Sequence, residues 1–160
     1  MAVVLITGMS GTGKSAALAE LARRGHRVVD TDYGEWIEDV RQRDGSVEPL
    51  WNEERIDALL SGHSDGALFV VGTVANQGRF YSRFDAVVLL SAPLEVILER
   101  AATRESNPFG KTEAERDKIA DDLAAFEPLL RAAATTEIDT RKPLADVVDE
   151  LESIARQTAT

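Results

Sequence analysis

The sequence predicts a three-layer α/β fold, in which a five-stranded parallel sheet carries helices on both faces. Short runs of β-branched and apolar residues recur along the chain, and helical patterns separate most of them. The first run, residues 2–7, is apolar without alternation, as expected for a strand buried on both faces. The whole chain has 160 residues and no evident linker, which indicates a single domain spanning residues 1–160.

The expected elements are defined by periodicity and by local stop signals. The first helix is expected to end at Arg23-Arg24-Gly25, and Thr112 with Glu115 forms a capping box for a later one. Arg43–Ser46 has the composition of a turn, and Glu127-Pro128 predicts a kink or a break. Strands are expected at residues 2–7, 27–29, 67–71, 86–90 and 137–139, and helices at residues 14–24, 36–40, 52–60, 94–103, 112–126 and 144–154.

A glycine-rich segment lies between the first strand and the first helix. Gly8 to Ser15 fits the pattern G-x-x-x-x-G-K-[ST] in its required strand–loop–helix setting, which predicts a P-loop NTPase fold and nucleoside triphosphate binding. Glycines let several backbone N–H groups converge on one phosphate at the helix N-terminus. Lys14 is expected to reach the β- and γ-phosphates of ATP, and Ser15 to bind Mg²⁺. The expected nucleotide contacts are Gly8, Met9, Ser10, Gly11, Thr12, Gly13, Lys14, Ser15 and Ala16.

Composition and charge exclude several other classes. The net charge of −10 disfavours a general nucleic-acid-binding surface, and the absence of cysteine excludes thiol chemistry. No apolar run approaches membrane-spanning length, and the apolar start is too short for a signal peptide. We therefore expect a cytoplasmic protein that binds neither nucleic acid nor membrane.

Two carboxylates follow the second strand. Asp30 and Asp32 are two residues apart on extended chain, so their side chains point the same way at the carboxyl edge of the sheet. One is expected near Mg²⁺, and the other near an acceptor hydroxyl whose proton it accepts. The third strand ends at Gly72 rather than at an aspartate, which argues against a motor ATPase, and no Asn-Lys-x-Asp motif of ordinary GTPases occurs.

Basic residues are candidates for neutralising the triphosphate and for holding an anionic substrate. Arg100 and Arg104 are four residues apart on a helix that leads into a lid at about residues 104–118, closed by Lys111. Arg55 and Arg79 are candidate substrate contacts, the latter because residues 72–78 have the composition of a ligand-contacting loop. The alternative for Arg100 and Arg104 is a solvated helix end, and Arg55 and Arg79 can equally be surface cations.

With these motifs the chain resembles the small P-loop kinases of the nucleoside monophosphate kinase-like group, which includes shikimate and gluconate kinases. The resemblance rests on residues 8–15, on Asp30-Thr31-Asp32 and on the Arg100-x-x-x-Arg104 start of a lid. It implies that Asp30 assists Mg²⁺, Asp32 contacts a substrate hydroxyl, Arg104 lies near the phosphates and Arg55 contacts substrate. It also implies that Arg100 lies over the adenine of ATP, with an adenine-contacting loop near residues 141–143 that includes Arg141.

The substrate itself is left open by the sequence. Shikimate kinases carry a glycine cluster after the third strand where this chain has Gly72-Thr73, and the Asp-Gly-Phe-Pro-Arg segment of adenylate kinases is missing. The first hypothesis is transfer of phosphate from ATP to a hydroxyl of a small polar metabolite, with Lys14, Asp32 and Arg104 as catalytic residues and Gly72 at the substrate. The alternatives are a nucleoside monophosphate kinase and an ATP-binding regulatory protein with little turnover. Either a monomer or a homodimer is compatible with the sequence.

Overall fold

A five-stranded parallel sheet forms the centre of the computed structural model, which describes residues 1–103 and 111–159. The strand order is β2-β5-β1-β6-β7, and every neighbouring pair is parallel. The elements are β1 (Ala2–Thr7), α1 (Lys14–Arg23), β2 (Arg27–Asp30), β3 (Ile37–Arg41), β4 (Val47–Trp51), α2 (Glu53–Gly62), β5 (Ala67–Val71), β6 (Ala86–Ser91), α3 (Leu94–Thr103), α4 (Glu113–Ala133), β7 (Thr136–Asp139) and α5 (Leu144–Thr158).

The central strand β1 is buried at every position because it supplies side chains to both faces of the sheet. Val4 and Ile6 pack with side chains of α1 and α5, whereas Val3 and Leu5 pack with side chains of α2. Burying one such side chain contributes roughly 1.5–3 kcal/mol, so the two apolar faces fix the three layers. The predicted three-layer fold is confirmed, and all five predicted strands lie in this sheet.

A two-stranded antiparallel hairpin, β3–β4, takes the place of the helix predicted at residues 36–40, and that prediction is wrong. The two strands flank the predicted turn, where Gly45 has a φ of 88° and Asp44 accepts hydrogen bonds from Ser46. At the other end of the hairpin, Trp51 is 1% exposed and anchors β4 in the core. The burial of Trp51 and the cross-strand pairing outweigh the weak helical pattern of so short a segment.

Helix α4 runs without interruption from Glu113 to Ala133 and contains Pro128, so the break considered at Glu127-Pro128 is not observed. The capping box at its start is present, because Thr112 accepts from the Glu115 backbone N–H and Glu115 accepts from the Thr112 backbone N–H.

Candidate active site

The P-loop (Gly8–Ser15) has the backbone conformation that its glycines permit. Gly11 and Gly13 have φ values of 86° and 98°, and Gly8 has a φ of 156°. A Cβ on Gly8 would lie 2.5 Å from the carbonyl oxygen of Leu90, so a side chain there would clash with β6. The buried Thr12 hydroxyl donates to the Met9 carbonyl at 2.8 Å and stabilises the loop from within.

The N-terminus of α1 opens towards this loop. Gly13 is its N-cap without a side-chain hydrogen bond, and the first turn contains no acidic residue. Its free N–H groups and the positive end of the helix dipole suit an anion.

Lys14 lies within the loop, with its ammonium directed at the loop backbone. Its Nζ donates to the carbonyl oxygens of Gly8 at 2.6 Å and Met9 at 3.0 Å. Burial lowers the pKa of Lys14 to about 8, although Asp32 and Asp30 act in the opposite direction. Because Lys14 is only partly protonated near that pH, its charge is sensitive to any anion that enters the loop.

Asp30 and Asp32 lie at the carboxyl end of β2, as the sequence predicts. Between them Thr31 points into the core, where its hydroxyl donates to Val71 at 2.6 Å and accepts from the Trp51 indole at 2.8 Å. The Asp30 carboxylate accepts the backbone N–H of Asp32 at 3.0 Å. Desolvation raises the pKa of Asp32, Lys14 opposes this shift, and Asp30 adds to it. An aspartate with a raised pKa is a stronger base than an ordinary one.

A cleft of about 810 Å³ brings most of these groups together. Residues of the P-loop and of the first turn of α1 form one part of its lining, and four residues from elsewhere in the chain complete it. The lining residues are Gly8, Met9, Ser10, Gly11, Gly13, Lys14, Ser15, Ala16, Asp32, Tyr33, Thr73 and Arg100. The cleft lies outside the carboxyl ends of the strands, where parallel α/β sheets bind ligands.

Arg100 of α3 links the P-loop to the segment after β7. Its guanidinium donates to the Gly11 carbonyl at 3.1 Å, and to the Thr140 hydroxyl and carbonyl at 3.0 and 2.8 Å. Thr140 is itself buried and donates to the Ser91 carbonyl. These bonds hold the part of the cleft wall that Arg100 forms.

Three other predicted site arginines, Arg55, Arg79 and Arg141, are not among the residues that line the cleft. Arg55 forms an ion pair with Glu35 at 2.9 Å, and Arg79, 74% exposed, with Glu53 at 3.5 Å. Arg141 is paired with Asp139 at 2.7 Å on the exposed surface. Arg104 and residues 105–110 of the predicted lid lie outside the described residues, and residues 113–118 of it form the first turns of α4.

Gly72 follows β5 and contacts no open part of the cleft. A Cβ there would come within 2.7 Å of both Thr31 and Trp51, so close packing against Trp51 accounts for this glycine.

Thr73 and Tyr33 line the cleft, and sequence reasoning gave neither of them a role. The Thr73 hydroxyl donates to the Gly8 carbonyl at 2.8 Å and so contacts the P-loop. Thr73 lies two residues after the end of β5, and Tyr33 directly follows Asp32; these positions were the available signal.

Comparison with known proteins gives consistent matches. A family model described as an AAA domain matches residues 4–121. A shikimate kinase of Geobacter sulfurreducens is 33% identical over 167 residues, covering 96% of this chain and 91% of that protein. The solved shikimate kinase from Acinetobacter baumannii in complex with shikimate has a TM-score of 0.67 at 21% identity, over 99% of this chain and 95% of the other. A gluconokinase from Sinorhizobium meliloti 1021 has a TM-score of 0.57 at 19% identity, over 98% and 93% of the two chains.

A P-loop between the central strand and its helix, open to a cleft at the sheet edge, defines a P-loop nucleotide-binding protein. The family model matches residues 4–121, and the Geobacter shikimate kinase matches 96% of the chain. The chain therefore belongs to the family described as an AAA domain and, within it, to the small P-loop kinases. It is accordingly an ATP-dependent kinase of small molecules. Among residues 1–103 and 111–159, no helix has both the length and the apolar character needed to cross a membrane.

Proposed function

We propose that this kinase transfers the γ-phosphoryl group of Mg-ATP to a hydroxyl of a small polar metabolite. The observation that carries the proposal is the placement of Asp32 and Lys14 in one cleft, with the pKa of Asp32 raised. A hydroxyl acceptor needs a group that takes its proton, whereas a phosphate acceptor does not.

Nucleotide binding is proposed for the P-loop. Its backbone N–H groups and the N-terminus of α1 bind the phosphates, and Lys14 exchanges its two carbonyl contacts for the β- and γ-phosphates. Arg100 lies against the adenosine part of ATP, with the loop that contains Arg141 nearby, and Arg104 is assigned to the phosphates.

The donor set is suitable for Mg²⁺. The Ser15 hydroxyl and the Asp30 carboxylate are hard oxygen ligands, and Mg²⁺ usually takes one or two of these together with phosphates and water. In the described part of the chain, no group of three or more His, Cys, Asp or Glu forms a metal cluster of its own. When bound, Mg²⁺ neutralises charge on the β- and γ-phosphates.

Asp32 positions the acceptor hydroxyl in line with the γ-phosphate. The acceptor oxygen forms a bond to the γ-phosphorus, and the bond to the β–γ bridging oxygen breaks with its electron pair leaving on ADP. The hydroxyl proton passes to Asp32. Lys14 and Arg104 stabilise the negative charge on the transferred group. Arg55 and Arg79 remain candidates for contacts with the acceptor.

The test is ADP release with Mg-ATP, measured across hydroxylated metabolites and nucleoside monophosphates with an acceptor-free control. Acceptor-dependent release from a hydroxyl compound, abolished in Lys14→Ala, is expected. Asp32→Asn should lower kcat at least 100-fold, because the proton acceptor is lost. The matched control Asp121→Asn removes an exposed carboxylate on α4 and should leave kcat unchanged.

Two other results would replace the proposal. Release stimulated by nucleoside monophosphates, with a mild effect of Asp32→Asn and a severe effect of Arg79→Ala, identifies a nucleoside monophosphate kinase. Tight ATP binding without any phosphorylated product identifies an ATP-binding regulatory protein.

A further inference from the structure

A chain of hydrogen bonds joins the segment after β5 to the P-loop. The Gln77 side chain is buried, and its Nε2 donates to the Thr7 hydroxyl at 3.1 Å. That hydroxyl lies 3.2 Å from the Thr73 hydroxyl, which in turn donates to the Gly8 carbonyl at 2.8 Å. Thr7 and Gly8 are buried, whereas Thr73 is half-buried and lines the cleft.

The direction of these bonds follows from the hydrogens that each group can supply. A hydroxyl has one hydrogen to donate, and that of Thr73 is directed at the Gly8 carbonyl. In the contact between the two threonine hydroxyls, Thr7 is therefore the donor and Thr73 the acceptor. Gln77 stabilises this order, because its Nε2 donates to Thr7 while its Oε1 accepts the backbone N–H of Val74 at 3.0 Å. Thr73 is thus held with its hydrogen towards the P-loop.

The Gly8 carbonyl accepts from a second donor, Lys14. The Lys14 ammonium bonds this carbonyl at 2.6 Å and the Met9 carbonyl at 3.0 Å. A nucleotide whose phosphates attract Lys14 would remove both bonds. The Met9 carbonyl then keeps the Thr12 hydroxyl at 2.8 Å. The Gly8 carbonyl keeps that of Thr73. A buried carbonyl that loses its last donor is destabilised far more than one that loses the second of two.

We infer that Thr73 is a positioning residue for Lys14, and that it acts through the Gly8 carbonyl. Its hydroxyl satisfies this carbonyl when the lysine moves to the phosphates, which lowers the free energy that the movement requires. The inference rests on the proposed binding of ATP to the P-loop and adds a role for a residue outside that loop. Without the hydroxyl, the Gly8 carbonyl would compete with the nucleotide for the lysine.

The experiment is a double-mutant cycle on binding of a non-hydrolysable ATP analogue with Mg²⁺, measured by calorimetry. Thr73→Val replaces the hydroxyl by a methyl group of similar size and should raise the dissociation constant about tenfold. Thr73→Ser restores the donor and should bind within about twofold of the wild type. In a Lys14→Met background no lysine leaves the Gly8 carbonyl on binding, so Thr73→Val should there change the dissociation constant less than about twofold. Titration to millimolar analogue keeps weaker binding in that background measurable.

Two further variants separate this role from a loss of stability. Thr73→Val leaves the Thr7 hydroxyl without its acceptor, so the double variant Thr7→Val/Thr73→Val provides a second protein that lacks the donor to Gly8. In that variant Gln77 keeps the Tyr81 hydroxyl as an acceptor at 2.9 Å, and the same weakening of analogue binding is expected. Thr135→Val is the matched control, because its hydroxyl also donates to a backbone carbonyl, that of Val87 near the start of β6. It should leave the dissociation constant unchanged.

The outcomes distinguish the inference from the proposed function. Weakening by Thr73→Val that is rescued by Thr73→Ser and disappears with Lys14→Met supports the positioning role. Equal weakening in both backgrounds, or none in either, overturns that role and leaves ATP binding by the P-loop intact. A wild-type chain that does not bind the analogue overturns both the proposed nucleotide site and the role of Thr73.

Discussion

We predict that Lys14 makes nucleotide binding depend on pH. Its pKa is lowered to about 8 by burial, so the free enzyme loses this charge as the pH rises through 8. A bound triphosphate stabilises the protonated form and raises the pKa of Lys14. Binding above pH 8 therefore takes up a proton, and affinity decreases as the pH rises.

The size of the effect follows from the fraction of protonated lysine. With a pKa of about 8, Lys14 is roughly three-quarters protonated at pH 7.5 and about one-tenth protonated at pH 9. The dissociation constant for Mg-ATP should therefore increase about eightfold over this interval, provided that the bound lysine stays protonated. Starting at pH 7.5 keeps the ordinary histidine range below the interval.

Calorimetry with a non-hydrolysable ATP analogue measures both the dissociation constant and the number of protons taken up on binding. Titrations in two buffers of different ionisation enthalpy should show uptake of close to one proton at pH 9 and far less at pH 7.5. Lys14→Arg is the matched control, because arginine keeps its charge and should give a dissociation constant that is independent of pH. A flat profile in the wild type, or the same slope in Lys14→Arg, would refute the assignment.

Three further changes test contacts around the cleft. Gly8→Ala places a methyl group 2.5 Å from the Leu90 carbonyl and should lower the free energy of unfolding by about 2 kcal/mol, measured by denaturant titration; an unchanged midpoint would contradict the observed loop. Thr31→Val leaves the buried Trp51 indole N–H without its acceptor and should cost about 1–3 kcal/mol, whereas Thr31→Ser should be nearly neutral. Arg100→Ala should weaken binding of the ATP analogue about tenfold, since its guanidinium holds the P-loop; equal affinity in the variant would exclude that role.

The conformation of the P-loop could be predicted because local sequence determines it. A strand buried on both faces, glycines with positive φ and a helix starting at Lys14 each leave a signal within a few residues. The spacing of Asp30 and Asp32 likewise follows from the alternation of extended chain, and the inward direction of Thr31 agrees with it.

Long-range contacts explain why the other half could not be predicted. The hairpin β3–β4 depends on Trp51 reaching Thr31, a residue 20 positions earlier, and on the space that Gly72 leaves for its ring. The pairing of Arg55 with Glu35 and of Arg79 with Glu53 is equally invisible in the sequence, where each arginine was a candidate for substrate. The charge of an arginine does not predict which carboxylate it pairs with in the folded chain.

The packing of Trp51 also bears on how the acceptor side is built. Its indole bonds Thr31, its backbone exchanges hydrogen bonds with the Asn76 side chain, and its ring occupies the space beside Gly72. One residue thus ties the hairpin to the ends of β2 and β5, the two strands that deliver Asp32 and Thr73 to the cleft. The P-loop follows β1, packs against β6 and is bonded by Arg100, and the bond from Thr73 to the Gly8 carbonyl joins it to the end of β5. Changes confined to the hairpin should therefore alter the acceptor pocket more than the nucleotide site. An acceptor that differs from that of the shikimate kinase relative is compatible with the same phosphate chemistry for this reason.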